Sequence, residues 1–119
     1  LSELMKTTVI RGTAKSAFRR FSSFLKKRLV IGGKTGTLKG GEPYGQRDWF
    51  TAFAVPVKEE FGKGISVCVM NVNINKWYVK SSFLTRKIIE FYFREVGPIT
   101  ESVSKVDAGK QPKLKLKKL

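Results

Sequence analysis

Lys34-Thr35-Gly36-Thr37 brings an ammonium, two hydroxyls and a bare stretch of backbone together in four consecutive residues. Such a set suits the holding of an anion, with charge from the lysine and hydrogen bonds from hydroxyl and backbone donors. The apolar run Leu29-Val30-Ile31 and the pair Gly32-Gly33 lead into it. Together they read as a short strand whose glycines let a ligand approach the backbone. Ser23-Phe24-Leu25-Lys26 and Ser102-Val103-Ser104-Lys105 each set a serine three residues before a lysine. Cys68 is the single cysteine, and its apolar strand setting predicts a small core thiol. With no second cysteine and no histidine, an internal disulfide and a Cys/His metal set are both excluded. No residue pattern implies a metal or a cofactor.

Gly33-Lys34-Thr35 also invites a nucleotide reading. A P-loop needs a glycine five positions before Gly33, where Arg28 stands, and a helix straight after the threonine. Glycines and then another strand pattern follow instead, so that reading fails.

The elements that must position these residues follow from periodicity. Residues 2–11 read as a helix with Leu4, Met5 and Val9 on its buried side, ended by Gly12. Ala14, Phe18, Phe21 and Leu25 then recur at spacings of four, three and four, which predicts a second short amphipathic helix or a packed loop with helical turns. Lys15, Arg19, Arg20 and Lys26 lie between them, as a solvated face or a contact for an anionic partner. Arg28 to Thr37 is the first strand, Leu38 to Gln46 a turn rich in Gly and Pro, and Arg47 to Val57 the second strand. Lys58 to Lys63 is a charged turn, and Ile65 to Val72 the third strand. Short connections make the three an antiparallel meander. The second strand sets Trp49, Thr51, Phe53 and Val55 on one face and Phe50, Ala52 and Ala54 on the other, so it is expected to be covered on both sides. Ser81 is expected to cap a last helix over residues 82–96, with a stripe of Leu84, Ile88, Phe91 and Tyr92 that Phe83 and Val96 extend. Gly97-Pro98 stops it. Residues 99–119 read as a basic, disordered tail. The fold class is α+β: a three-stranded antiparallel sheet with N- and C-terminal helices.

Lys34-Thr35-Gly36 on a strand, followed after a loop by Asp48-Trp49-Phe50-Thr51-Ala52-Phe53-Ala54, resembles the third motif of the serine penicillin-recognising enzymes. These are the penicillin-binding transpeptidases and the serine β-lactamases. The resemblance takes in Gly12-Thr13-Ala14-Lys15-Ser16 and runs to the last helix, so it spans residues 1–98 as the C-terminal portion of a penicillin-binding/β-lactamase-like domain. The Trp49-Phe50 pair is most similar to the transpeptidase and class D branch. The resemblance implies serine acyl transfer in peptidoglycan cross-linking, with a stem peptide or a β-lactam as partner. It implies Lys34 and Thr37 in catalysis, Lys34 as charge near the nucleophile and the Thr37 N–H as an oxyanion donor. It implies Thr35, Gly36 and Thr37 as substrate-binding residues, the hydroxyls on the substrate carboxylate. It implies the periplasm or the extracytoplasmic face of the cell membrane. The family's Ser-x-x-Lys nucleophile lies well before this strand, and a Ser-x-Asn motif lies between. Ser23 is too close to Lys34 to serve, Ser102 lies after the matched region, and no Ser-x-Asn occurs. The expectation is therefore a chain that is inactive alone and is completed by the N-terminal part of the same domain. A class D-like β-lactamase or a β-lactam sensor fits the same residues.

At 119 residues with 41% hydrophobic content the chain can form one modest domain. Its formal net charge is +15, from 24 basic and 9 acidic residues, which predicts attraction to polyanions or anionic surfaces. The excess lies at the ends: residues 1–34 hold nine cations against Glu3, and the chain beyond Ser104 holds six lysines against Asp107. A basic nucleic-acid-binding module is the alternative of a different class, with Tyr44, Trp77 and Tyr78 as exposed aromatics. The aromatics do not interleave with cations on one strand face, so no nucleic-acid partner is expected. No apolar run is long enough to span a bilayer, and no membrane anchor or signal peptide is visible.

Overall fold

In the computed structural model, which describes residues 1–76 and 79–96, three strands form one antiparallel sheet in the order β1-β2-β3. The 12-residue strands β1 (Leu29–Gly40) and β2 (Gly45–Pro56) pair along their whole length, from Leu29 opposite Pro56 to Gly40 opposite Gly45. The ladder closes right up to the turn, which is why both strands outrun the sequence pattern. Gly40 and Gly41 take φ of 130° and 81° there, a region that L side chains avoid. The Arg47 guanidinium ties the turn by donating to the Gly40 and Pro43 carbonyls. A 3-10 turn, Glu59–Phe61, leads to β3 (Ile65–Asn73), which pairs with β2.

Three glycines of β1 sit under aromatic rings of β2. A methyl group at Gly33 would overlap the Phe50 ring, one at Gly36 the Trp49 indole, and one at Gly32 the Phe53 ring. Gly36 is directly opposite Trp49 and Gly32 directly opposite Phe53. The missing side chains on one strand thus accommodate the large ones on the next.

The core forms on the Phe50 face. Ala14, Phe18, Phe21 and Leu25 are all buried; Phe18 belongs to the one-turn helix α2 (Lys15–Phe18) and Leu25 to α3 (Ser23–Lys26), with Ala14 just before α2 and Phe21 between the two. Ser22 caps α3, its Oγ accepting from the Leu25 N–H. The Phe18 ring lies 5.9 Å from Phe21 and 6.0 Å from Phe50. Ile89 and Phe93 complete the layer from the last helix.

Two expectations about helix faces need correction. In α1 (Ser2–Ile10), Val9 is buried and Met5 half-buried over Gly32, but Leu4 is 71% exposed. Each residue turns a helix by about 100°, so a helix that meets the sheet through positions 5 and 9 carries position 4 outward. The last helix, α4 (Ser81–Phe91), continues into a π-helical turn, Tyr92–Val96. Its buried residues are Ser81, Ser82, Thr85, Arg86, Ile89 and Phe93, whereas Phe83, Ile88 and Phe91 are 40%, 43% and 61% exposed. Leu84 and Tyr92 are half-buried. The buried face is therefore rotated by roughly one residue, about 100°, from the apolar stripe.

Two corrections concern the sheet. β2 is buried on the face of Asp48, Phe50, Ala52 and Ala54, but Thr51 and Val55 on the other face are exposed. Cys68 is exposed as well, opposite Thr51, whose hydroxyl donates to its Sγ at 3.2 Å. Alternation along β3 places Cys68 on the open face, so it is no core thiol. The tail expected at 99–119, Trp77 and Tyr78 lie outside the described residues.

Gly33→Ala is expected to destabilise the protein by about 1–3 kcal/mol, because the buried Phe50 ring has nowhere to move. Urea denaturation of Gly33→Ala, Phe50→Ala and the double variant measures the coupling. Additive losses would show that ring and glycine are not interlocked.

Candidate functional site

Lys34, Thr35, Gly36 and Thr37 all lie on β1, which among the described residues has a strand neighbour, β2, on one side only. Strand alternation sends Lys34 and Gly36 to the open face and Thr35 and Thr37 to the face of the core. Lys34 and Thr37 are exposed, and Thr35 and Gly36 half-buried. The four side-chain positions therefore do not converge over one face; they share only the strand edge. Lys34 Nζ donates to the Thr35 carbonyl at 2.7 Å, which keeps the ammonium beside that backbone. The Thr35 hydroxyl lies 3.0 Å from the Thr13 hydroxyl, in the segment that follows α1. The Trp49 indole fills the space over Gly36. With the indole over Gly36, the backbone of this stretch is open along the edge of β1.

The pairs across the hairpin are Thr35 with Phe50, Gly36 with Trp49 and Thr37 with Asp48. Asp48 is 5% exposed, and its role was missed by the sequence reading. One carboxylate oxygen accepts the Ser81 N–H at 2.7 Å, and the Asp48 carbonyl accepts the Ser81 hydroxyl. Ser81 is thus the first residue of α4 and not its cap, and the cap comes from the sheet. A buried acid opposite a helix start was the available signal, but it needs the topology to be read.

Among the described residues the Ser-x-x-Lys spacing brings no nucleophile to this edge. Ser23 and Lys26 are the exposed ends of α3, ahead of β1, while Lys34 to Thr37 occupy the middle of β1. Ser102 and Lys105 lie outside the described residues. Among the described residues no cluster of three or more His, Cys, Asp or Glu side chains could hold a metal ion. The described site therefore offers charge, hydroxyls and an edge, which bind and polarise, without a serine placed to attack.

No protein-family model, curated protein or solved structure matches the chain.

Asp48→Ala leaves the buried Ser81 N–H without its acceptor and is expected to cost about 1–3 kcal/mol. Chemical denaturation and amide exchange at residues 81–84 measure it. Unchanged stability with unchanged exchange would free Asp48 from this structural task.

Proposed function

We propose that the chain is the carboxylate-binding wall of a penicillin-binding, D,D-transpeptidase-like domain. The observation that carries this reading is the Lys34-Thr35-Gly36-Thr37 sequence on the edge strand of an antiparallel meander, paired residue for residue with Asp48-Trp49-Phe50 and backed by α4. Exposed Lys34 and Thr37 stand at the part of that edge where charge and donors are needed.

In this reading an acyl-D-alanyl-D-alanine peptide, or a β-lactam in its place, lies along β1 as an added strand. Its terminal carboxylate lies at the strand edge, the one place that Lys34 and the threonines share, where charge-assisted hydrogen bonds hold it in register. The Thr37 N–H is one of two donors to the oxygen that gains charge when the carbonyl is attacked. The attacking serine and its lysine come from the N-terminal part of the domain. Serine attack breaks the amide, releases D-alanine and leaves an acyl-enzyme, which an amine or water then resolves. Such an enzyme works on peptidoglycan at the extracytoplasmic face of the membrane.

Titration of the labelled chain with N-acyl-D-Ala-D-Ala, followed by amide chemical shifts, is expected to perturb Lys34 to Leu38 and their β2 partners. Lys34→Ala should weaken that binding about tenfold, the worth of a hydrogen bond to a charged group. No perturbation along this edge up to high millimolar peptide would sink the proposal. Fluorescent penicillin should leave the isolated chain unlabelled. A covalent band abolished by Ser23→Ala would instead restore Ser23 as the nucleophile.

A further inference from the structure

Arg86 is the anomaly of α4. It lies on the buried face of the helix, 5% exposed, among residues that are otherwise small or apolar. Its Nε is buried without a hydrogen-bond partner, and no carboxylate among the described residues lies within ion-pair distance of it. The centroid of the Phe83 ring is 4.9 Å from the guanidinium carbon. A ring face attracts a cation but offers no acceptor for its N–H groups. A buried guanidinium keeps its charge, and burial without an anion is costly enough that proteins normally supply one.

The surroundings of Arg86 deepen the anomaly. It lines a cleft of about 640 Å³ between α2 and α4, together with Arg19, Arg20, Lys87 and Arg94. One carboxylate is present in the cleft, that of Glu90, and it already accepts the Ser22 N–H at 3.0 Å. Arg19, Arg20, Lys87 and Arg94 are exposed, so they form a rim above a buried charge. The cleft is a separate feature from the Lys34 to Thr37 edge, and none of those four residues lines it.

We infer that this cleft is a binding site for a phosphoryl oxyanion, with Arg86 at its floor and the four exposed cations at its rim. A guanidinium presents its donors as a planar fork, which matches two oxygens of one oxyanion. The number of cations selects for more than one negative charge. A single carboxylate would satisfy Arg86 and leave the rim uncompensated. A phosphoryl or pyrophosphoryl group supplies both the paired oxygens and the charge. The inference does not rest on the transpeptidase reading, because it uses a different part of the fold.

Pyrophosphate is the probe, titrated calorimetrically into the full 119-residue chain. Arg86→Gln is expected to weaken binding by about tenfold or more, and Arg86→Lys, which keeps charge but loses the fork, by several-fold. The surface variant Arg20→Ala/Lys87→Ala leaves the core untouched and should weaken binding severalfold, so the site remains testable if a variant at Arg86 fails to fold. Lys39→Ala/Lys63→Ala removes the same charge elsewhere and should leave affinity unchanged. Equal losses for the two surface pairs would reduce the effect to net charge and overturn the inference. Citrate of matched charge tests the source: binding as tight as pyrophosphate would assign Arg86 to a carboxylate partner and overturn the phosphoryl assignment. Absence of pyrophosphate binding at low ionic strength would do the same.

Discussion

The contact between Asp48 and Ser81 sets the geometry of the whole described fold. Asp48 is buried on the core face of β2, and its carboxylate and carbonyl each take a hydrogen bond from the first residue of α4. A helix held at its first residue by two bonds can neither slide nor roll freely over a sheet. Its phase is then fixed, and every later residue is assigned inward or outward. Ser82, Thr85, Arg86, Ile89 and Phe93 turn inward, and Phe83, Ile88 and Phe91 turn outward. Small residues at the start of the buried face let the helix approach closely over Phe50, which is itself completely buried. The apolar residues on the outer face and the charged one on the inner face are both consequences of this single anchor.

The sheet has its own internal constraint. Large rings on β2 and bare backbone on β1 form one interlocked layer, with Phe50 over Gly33 and Trp49 over Gly36. Packed interiors resist added volume, so neither partner can change alone. This interlock gives Gly36 a structural reason to exist, independent of any ligand. What remains for function on β1 is the edge, where Lys34 and Thr37 are exposed.

Much of the architecture was legible in the residues. The meander followed from three runs of strand-forming residues broken by Gly and Pro, and the spacing of Ala14, Phe18, Phe21 and Leu25 picked out buried positions. Those signals are local: alternation and turn chemistry need no knowledge of the partner. The errors share a cause, which is that they concern which partner is present. The Leu84, Ile88 and Phe91 stripe is a proper amphipathic pattern, but Asp48 turns the helix away from it. Cys68 stands in an apolar run, yet strand alternation puts it on the face away from Phe50, where it is exposed. The candidate site divides the same way. Lys34 to Thr37 could be placed on one strand because that signal is local, whereas the Arg86 cleft depends on α2 and α4 meeting.

The acids and the cations of this chain are used differently, and that asymmetry bears on function. Glu90 accepts the Ser22 N–H at the start of α3, and Asp48 accepts the Ser81 N–H at the start of α4. Both acids therefore serve helix N-termini, where negative charge is favoured and backbone donors lack partners. Neither makes an ion pair with an arginine among the described residues. The ion pairs Lys6–Glu3 and Lys58–Glu60 lie at the surface, where such pairs contribute little to stability. Among the described residues the two inward acids accept from backbone amides, while Arg86 has no carboxylate within ion-pair distance, and the formal charge of +15 favours anionic partners. Lys34 at the sheet edge and Arg86 beneath α2 are two separate expressions of that arrangement. One is exposed and aligned with a strand edge, which suits a peptide carboxylate. The other is buried, forked and ringed by further charge, which suits a denser anion.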